Sequence, residues 1–157
     1  MRKICVLSNL SKNGVLDQER EIVSWLEDRE VDVLTPAHPY DVLDQDFLFQ
    51  YFEGVASQCE AVLVLGGDGT LLSVARQAAY YSLPLLGINM GRIGFLAELE
   101  QGKELFLSLE RMLNKDFFLE DRMMLQVSIR CNGRKWKTYH CLNDGVILKD
   151  DRSGLIE

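Results

Sequence analysis

Residues 61–65, Ala61-Val62-Leu63-Val64-Leu65, form an unbroken apolar run that is followed at once by Gly66-Gly67-Asp68-Gly69-Thr70 and then by a Leu- and Ala-rich stretch, Leu71 to Tyr81. A short continuous apolar run reads as a strand buried on both faces, which is the condition of a parallel sheet covered by helices. The stretch after the glycines reads as one such helix. In an open α/β sheet, ligands bind beyond the carboxyl ends of the strands. A loop with three glycines at that place lets a polyphosphate come close to the backbone, where N–H groups and the next helix's N-terminus face its charge. Thr70 is expected to cap that helix. Asp68 is the costly member, since an anion at a phosphate cradle is unfavourable unless it handles a hydroxyl proton, a Mg²⁺ ion or both. The plainer alternative is that Asp68-Gly69 is a tight turn, a pairing that turns favour.

The rest of the first hundred residues repeats the strand-and-helix theme. Lys3 to Ser8 is a short apolar strand, broken by Asn13-Gly14, and Val15 to Arg29 carries Leu16, Ile22, Val23, Trp25 and Leu26 in an approximate helical stripe. Val31 to Leu34 is a second strand, followed by a loop at Pro36 and Pro39. Asp41 to Glu53 is ambiguous, with Val42, Phe47 and Phe49 able to line a short helix. Pro84 to Ile88 is a further buried strand, and Asn89 to Gly94 a glycine-punctuated loop. Alternation of this kind indicates a right-handed, mostly parallel α/β sheet.

Past Glu100 the period changes. Gly102 to Asn114 is an amphipathic helix with Leu105, Phe106, Leu109, Met112 and Leu113 on one side. Leu125, Val127 and Ile129 alternate with polar residues, Asn132-Gly133 signals a two-residue hairpin, and Lys135 to Leu142 returns as the partner strand. Asn143-Asp144-Gly145 interrupts it before Val146 to Leu148, and Leu155 and Ile156 look like the start of another strand. The antiparallel sheet is therefore expected to be incomplete, with an exposed edge that favours self-association.

A net charge of −7 with no basic stripe disfavours nucleic acid as a partner. No run reaches the roughly 18 apolar residues of a membrane span, and the opening MRKICVLSNL reads as a first strand rather than a signal peptide. A cytoplasmic protein without a membrane partner is the expectation. The cysteines Cys5, Cys59, Cys131 and Cys141 show no C-x-x-C spacing and read as reduced, mostly buried thiols rather than a zinc site. Gly102-Lys103 is followed by Glu104 where a phosphate-binding P-loop requires Ser or Thr.

The GGDGT loop resembles the signature of a kinase superfamily that includes NAD kinases, diacylglycerol and sphingosine kinases and, more distantly, phosphofructokinases. Two further segments choose among them: Leu86 to Leu96 (LGINMGRIGFL) is similar to the NAD kinase pattern, and Leu142 to Ile147 (LNDGVI) to that family's Asn-Glu/Asp segment. The chain is thus identified as a member of the NAD kinase family.

The resemblance implies a Rossmann-like, mostly parallel sheet over residues 1–100, and a connecting helix with the first strands of an antiparallel β-sandwich over residues 101–157. It implies transfer of a phosphoryl group from ATP or polyphosphate to the 2′-hydroxyl of the adenosine ribose of NAD, forming NADP, with Mg²⁺ or another divalent cation. Asp68 would be the catalytic carboxylate at the ribose hydroxyl, Gly67 and Gly69 would approach phosphate or ribose through backbone, Asn143 and Asp144 would bond to NAD, and Leu72 and Phe95 would wall the adenine-side pocket. Asp144 is one methylene shorter than the Glu found in many relatives. Each has a plainer alternative: a turn for Asn143-Asp144-Gly145, core for Leu72 and Phe95, positive-φ backbone for Gly91 and Gly94, and an idle exposed cation for Arg92. Arg152 is not clearly in register with the basic residue that family members carry nearby. The resemblance further implies a homo-oligomer, dimer or tetramer, at full length. The second domain would supply the rest of the site, so the 157 residues by themselves are expected to be inert. A lipid kinase of the same superfamily, which would not need the Asn143-Asp144 segment, and a non-catalytic nucleotide-binding module are the rival readings.

Overall fold

The computed structural model describes residues 3–37, 40–91, 94–97, 99–100, 102–130 and 137–146. Two compact units divide the chain, Met1–Glu120 and Asp121–Glu157.

The first unit runs β1 (Lys3–Ser8), α1 (Val15–Glu27), β2 (Asp32–Leu34), α2 (Gln45–Val55), β3 (Ala61–Gly66), α3 (Asp68–Ala78), β4 (Leu85–Asn89), β5 (Leu99–Glu100) and α4 (Lys103–Leu113), with a 3₁₀ turn at Ala79–Tyr81 prolonging α3. Its five strands are all parallel in the order β2-β1-β3-β4-β5. From β1 the chain winds outward to β2, then returns to pair β3 on β1's other side. The order reverses between β1 and β3, and a doubly wound sheet opens a ligand crevice at such a reversal.

The central strands show why their sequence is apolar throughout. Ile4, Val6, Leu63 and Leu65 point to one face, where they meet Val15, Ile22 and Leu26 of α1 and Leu105, Leu109 and Leu113 of α4. Cys5, Leu7, Val62 and Val64 point to the other, against Leu48 and Phe52 of α2 and Leu71, Val74 and Ala78 of α3. Successive residues of a strand alternate faces, so the middle of a strand sandwiched between two helical layers is apolar at every position, and buried polar residues, Ser8 and Asn89, stand at strand ends. α4 lies within this packing, and the compact unit continues to Glu120, so the boundary expected near residue 100 falls inside it.

The ambiguous stretch 41–53 holds a helix that begins at Gln45. Asp44 caps it, its carboxylate accepting from the backbone N–H of Asp46 at 2.9 Å and of Phe47 at 3.2 Å. Of the three residues expected to line it, Phe47 packs on the core, Val42 is buried but precedes the helix, and Phe49 faces solvent. Leu48 and Phe52, four residues apart, fill the buried stripe instead. Further along, Arg29 lies over the Trp25 ring at 3.8 Å and bonds to Glu110 of α4 at 3.0 Å, so α1 ends against α4.

Burial supports the reduced-thiol reading for Cys5, whose thiol is pushed up to about 12 by desolvation, and for Cys59, raised by the same cause. Cys141 is free and half-buried, and Cys131 lies outside the described residues.

In the second unit, β6 (Leu125–Ile129) pairs antiparallel with β7 (Lys137–Cys141), from Leu125 opposite Cys141 to Ile129 opposite Lys137. The hairpin expected at Asn132-Gly133 and the strand expected from Leu155 lie outside the described residues, as does all but Val146 of the strand expected at Val146 to Leu148.

Candidate active site

Gly66, Gly67 and Gly69 turn out to serve different needs. Gly66 ends β3, and a Cβ there would collide with the Thr70 side chain, so this glycine lets α3 pack tightly onto its own strand. Gly67 and Gly69 differ, because among the described residues a Cβ on either would meet nothing within 4 Å. Their backbone borders open space on both sides of Asp68, where a ligand can approach.

Thr70 is not the helix cap expected from sequence. The capping position is Gly67, whose carbonyl accepts from the N–H of Thr70 at 3.0 Å and of Leu71 at 3.1 Å. Thr70 sits inside the first turn of α3 and is buried; its hydroxyl accepts from the Asn9 side-chain amide at 3.0 Å. Asn9, just past β1, also donates its backbone N–H to the Leu65 carbonyl at 2.8 Å and accepts from the backbone N–H and hydroxyl of Ser11 at 3.1 and 2.6 Å. One buried amide thereby ties the loop after β1 to the end of β3 and the first turn of α3, across the reversal point of the sheet. The sequence reading missed Asn9. Its one visible signal is a polar pair, Ser8-Asn9, directly behind the apolar run Ile4 to Leu7.

Asp68 opens α3. Its Oδ2 accepts from the N–H of Phe95 at 2.7 Å, and its Oδ1 from those of Leu96 at 3.1 Å and Ala97 at 3.3 Å. These donors, that of Phe95 foremost, favour the charged form and hold the carboxyl below the usual carboxylate range. The Asp-Gly turn alternative is set aside by this geometry, because Asp68 lies in a helix and reaches a segment 27 residues away. A carboxylate offers about four acceptor positions. The three bonds leave Oδ2 with room for one more donor.

Phe95 is 98% exposed, so the core alternative for it is excluded. Leu72, on α3 one turn beyond Asp68, is half-buried and belongs to neither core cluster among the described residues. Gly91 has neither a left-handed φ nor a crowded Cβ position, which corrects the expectation that it supplies positive-φ backbone. Arg92 and Arg152 lie outside the described residues. The structure thus brings together Gly67, Asp68, Gly69 and the backbone of Phe95. Asn143 and Asp144 belong to the second unit, exposed in and just after the bend that follows β7. Among the described residues no group of three or more His, Cys, Asp or Glu is placed to hold a metal ion, and no helix is long and apolar enough to cross a membrane.

Residues 4–117 match the model of the ATP-NAD kinase N-terminal domain. The chain is 33% identical over 157 residues to an NAD kinase of Natranaerobius thermophilus, covering 100% of this chain and 54% of that protein. It is 36% identical over 156 residues to an NAD kinase of Heliobacterium modesticaldum, covering 99% and 54%. The chain therefore spans about half the length of these curated relatives. Among solved structures, yeast NADH kinase complexed with NADH superimposes with a TM-score of 0.67 at 14% identity, over 89% of this chain and 46% of that one, a likeness of fold.

Proposed function

This chain belongs to the NAD kinase family, and from that premise we propose that its protein transfers a phosphoryl group from ATP to the 2′-hydroxyl of the adenosine ribose of NAD, forming NADP. The observation that carries the reading is the Asp68 carboxylate, held ionised with one acceptor position open, between two glycines whose backbone faces open space.

Phosphoryl transfer passes through a loose transition state, so positioning and charge neutralisation do most of the work. Asp68 is a weak base, and its N–H donors make it weaker still. It orients the 2′-oxygen in line with the γ-phosphate and takes the proton late, once P–O bond formation has acidified it. Gly67 and Gly69 admit phosphate or ribose to the backbone at the start of α3, where the helix dipole favours negative charge. Mg²⁺ would enter as part of the MgATP substrate and neutralise charge on the donor phosphates. Asn143 and Asp144 bond to NAD, and Leu72 and Phe95 wall the adenine side. The protein works in the cytoplasm as a homo-oligomer, with no nucleic-acid or membrane partner.

The test uses the whole reading frame that contains these 157 residues. Incubated with MgATP, it should convert NAD to NADP and leave diacylglycerol and sphingosine unphosphorylated. Lipid phosphorylation without NADP would replace the reading with the lipid-kinase one. Nucleotide binding without transfer to any of the three acceptors would reduce it to a binding module.

A further inference from the structure

The consecutive backbone N–H groups of Phe95, Leu96 and Ala97 all converge on the Asp68 carboxylate. Successive backbone N–H groups arranged in this way form an anion-binding nest, and here the anion is a side chain of the same molecule. Two absent side chains make the closure possible. A Cβ on Gly94 would fall on the carboxylate of Asp68. A Cβ on Gly87, in the middle of β4, would come within 2.9 Å of the Ala97 Cα. The turn 94–97 is therefore seated on β4 at one end and closed over Asp68 at the other.

We infer that Gly94 is a positioning residue: by lacking a side chain it lets the turn close on Asp68 and fix the direction of the carboxylate beside Gly67 and Gly69. Its kinetic consequence rests on Asp68 being the catalytic carboxylate of the proposed reaction; the geometric one does not. A methyl group at 94 meets the far end of a short, rotatable side chain rather than backbone, so the carboxylate yields and the fold remains. In yielding, Asp68 gives up its N–H donors and its aim. A misplacement of about 1 Å at a reacting group can lower a rate on the order of a hundredfold.

The experiment is a double-mutant cycle in the whole reading frame, with Gly94→Ala made in the parent and in an Asp68→Ala background. Gly94→Ala alone should lower kcat by about a hundredfold and leave KM for NAD within about threefold, whereas Gly54→Ala, on the exposed side of α2 and away from the site, should leave turnover within about twofold. It should also lower the thermal midpoint. That loss should disappear in the Asp68→Ala background, where the added methyl has room. In ¹⁵N spectra, the Phe95 amide should titrate with the Asp68 carboxyl below the ordinary carboxylate range, and Gly94→Ala should move that titration upward.

An equal midpoint loss in both backgrounds would make Gly94 an ordinary packing residue and overturn the inference, as would normal kcat with an unshifted Phe95 titration. Should Gly94→Ala fail to fold, refolding of the double variant supports the coupling and failure of both refutes it. If the parent makes no NADP, the kinase reading falls, while the midpoint cycle and the amide titration still decide whether Gly94 positions Asp68.

Discussion

β3 and β6 are both short strands rich in apolar residues, yet they stand in opposite environments. Val62, Leu63, Val64 and Leu65 of β3 are all buried, with helices on both faces. In β6 only Val127 is even half-buried, while Leu125 and Ile129 are 42% and 49% exposed. In the first unit, packing from two sides dictates nearly every side chain and leaves the loop at the strand end as the place where chemistry can vary. In the hairpin, side-chain alternation marks a face, but the described residues do not cover it. Asp68 opens α3 at a strand end of the first unit and is held by the backbone of residues 95–97, whereas Asn143 and Asp144 follow an exposed strand of the second.

Core truncation should separate the two regions most sharply. Leu63→Ala removes a fully buried side chain from the centre of the sheet and should destabilise the first unit by about 2–5 kcal/mol. Val127→Ala in β6 should cost less than about 1 kcal/mol. Comparable losses in urea unfolding would mean that the hairpin carries a core of its own.

Asp68→Asn should lower kcat for NADP formation by at least about a hundredfold, equivalent to about 2.7 kcal/mol, with NAD binding largely intact. Steady-state kinetics beside equilibrium binding would show it, and near-normal turnover would make the carboxylate a clasp for the 94–97 turn and nothing more.

Asn9→Ala removes the tie between the loop after β1 and the first turn of α3 and leaves the Thr70 hydroxyl without its donor. A loss of about 1–3 kcal/mol is expected, as for a buried polar group deprived of its partner. Thermal unfolding measures the loss, and an unchanged midpoint would mean that the loops hold their places independently.

The smallest effect concerns acid. Because the folded carboxyl of Asp68 titrates below its unfolded value near 4, its stabilisation is present above about pH 4 and is lost as pH falls through the lower folded value. Midpoints of parent and Asp68→Asn should therefore converge as pH drops from 5 to below 4. A gap that stayed constant would show that the N–H donors do not favour the charged form.

What the sequence disclosed follows the same division. Unbroken apolar runs announced β1, β3 and β4, because burial on both faces writes itself into consecutive residues. α4 was legible from its one-sided stripe. α2 was harder to read, since its capping Asp44 sits among other acidic residues and the stripe of Leu48 and Phe52 was overlooked beside Val42 and Phe49, which do not belong to it. Within the site, local spacing located Asp68 and its glycines but misassigned Thr70, because the partner that defines Thr70 lies 61 residues away. The donors to Asp68 are backbone N–H groups, which every non-proline residue carries, so no residue type advertised them.

The Asn9–Thr70 bond also bears on how the chain acquires its shape during synthesis. β1 is made early but is an interior strand, flanked by β2 and β3, and Asn9 meets its partner 61 residues later. At a translation rate of about 5–20 residues per second, the ribosome needs roughly 3–12 s to supply that partner. Throughout that interval an apolar strand waits with one edge unpaired, and the Asn9 amide waits for the hydroxyl it will meet. Slow pairing between distant strands is the step most exposed to misassociation. Any aggregation of the nascent chain should then track the delay between β1 and β3, and a translational pause placed between them should increase it.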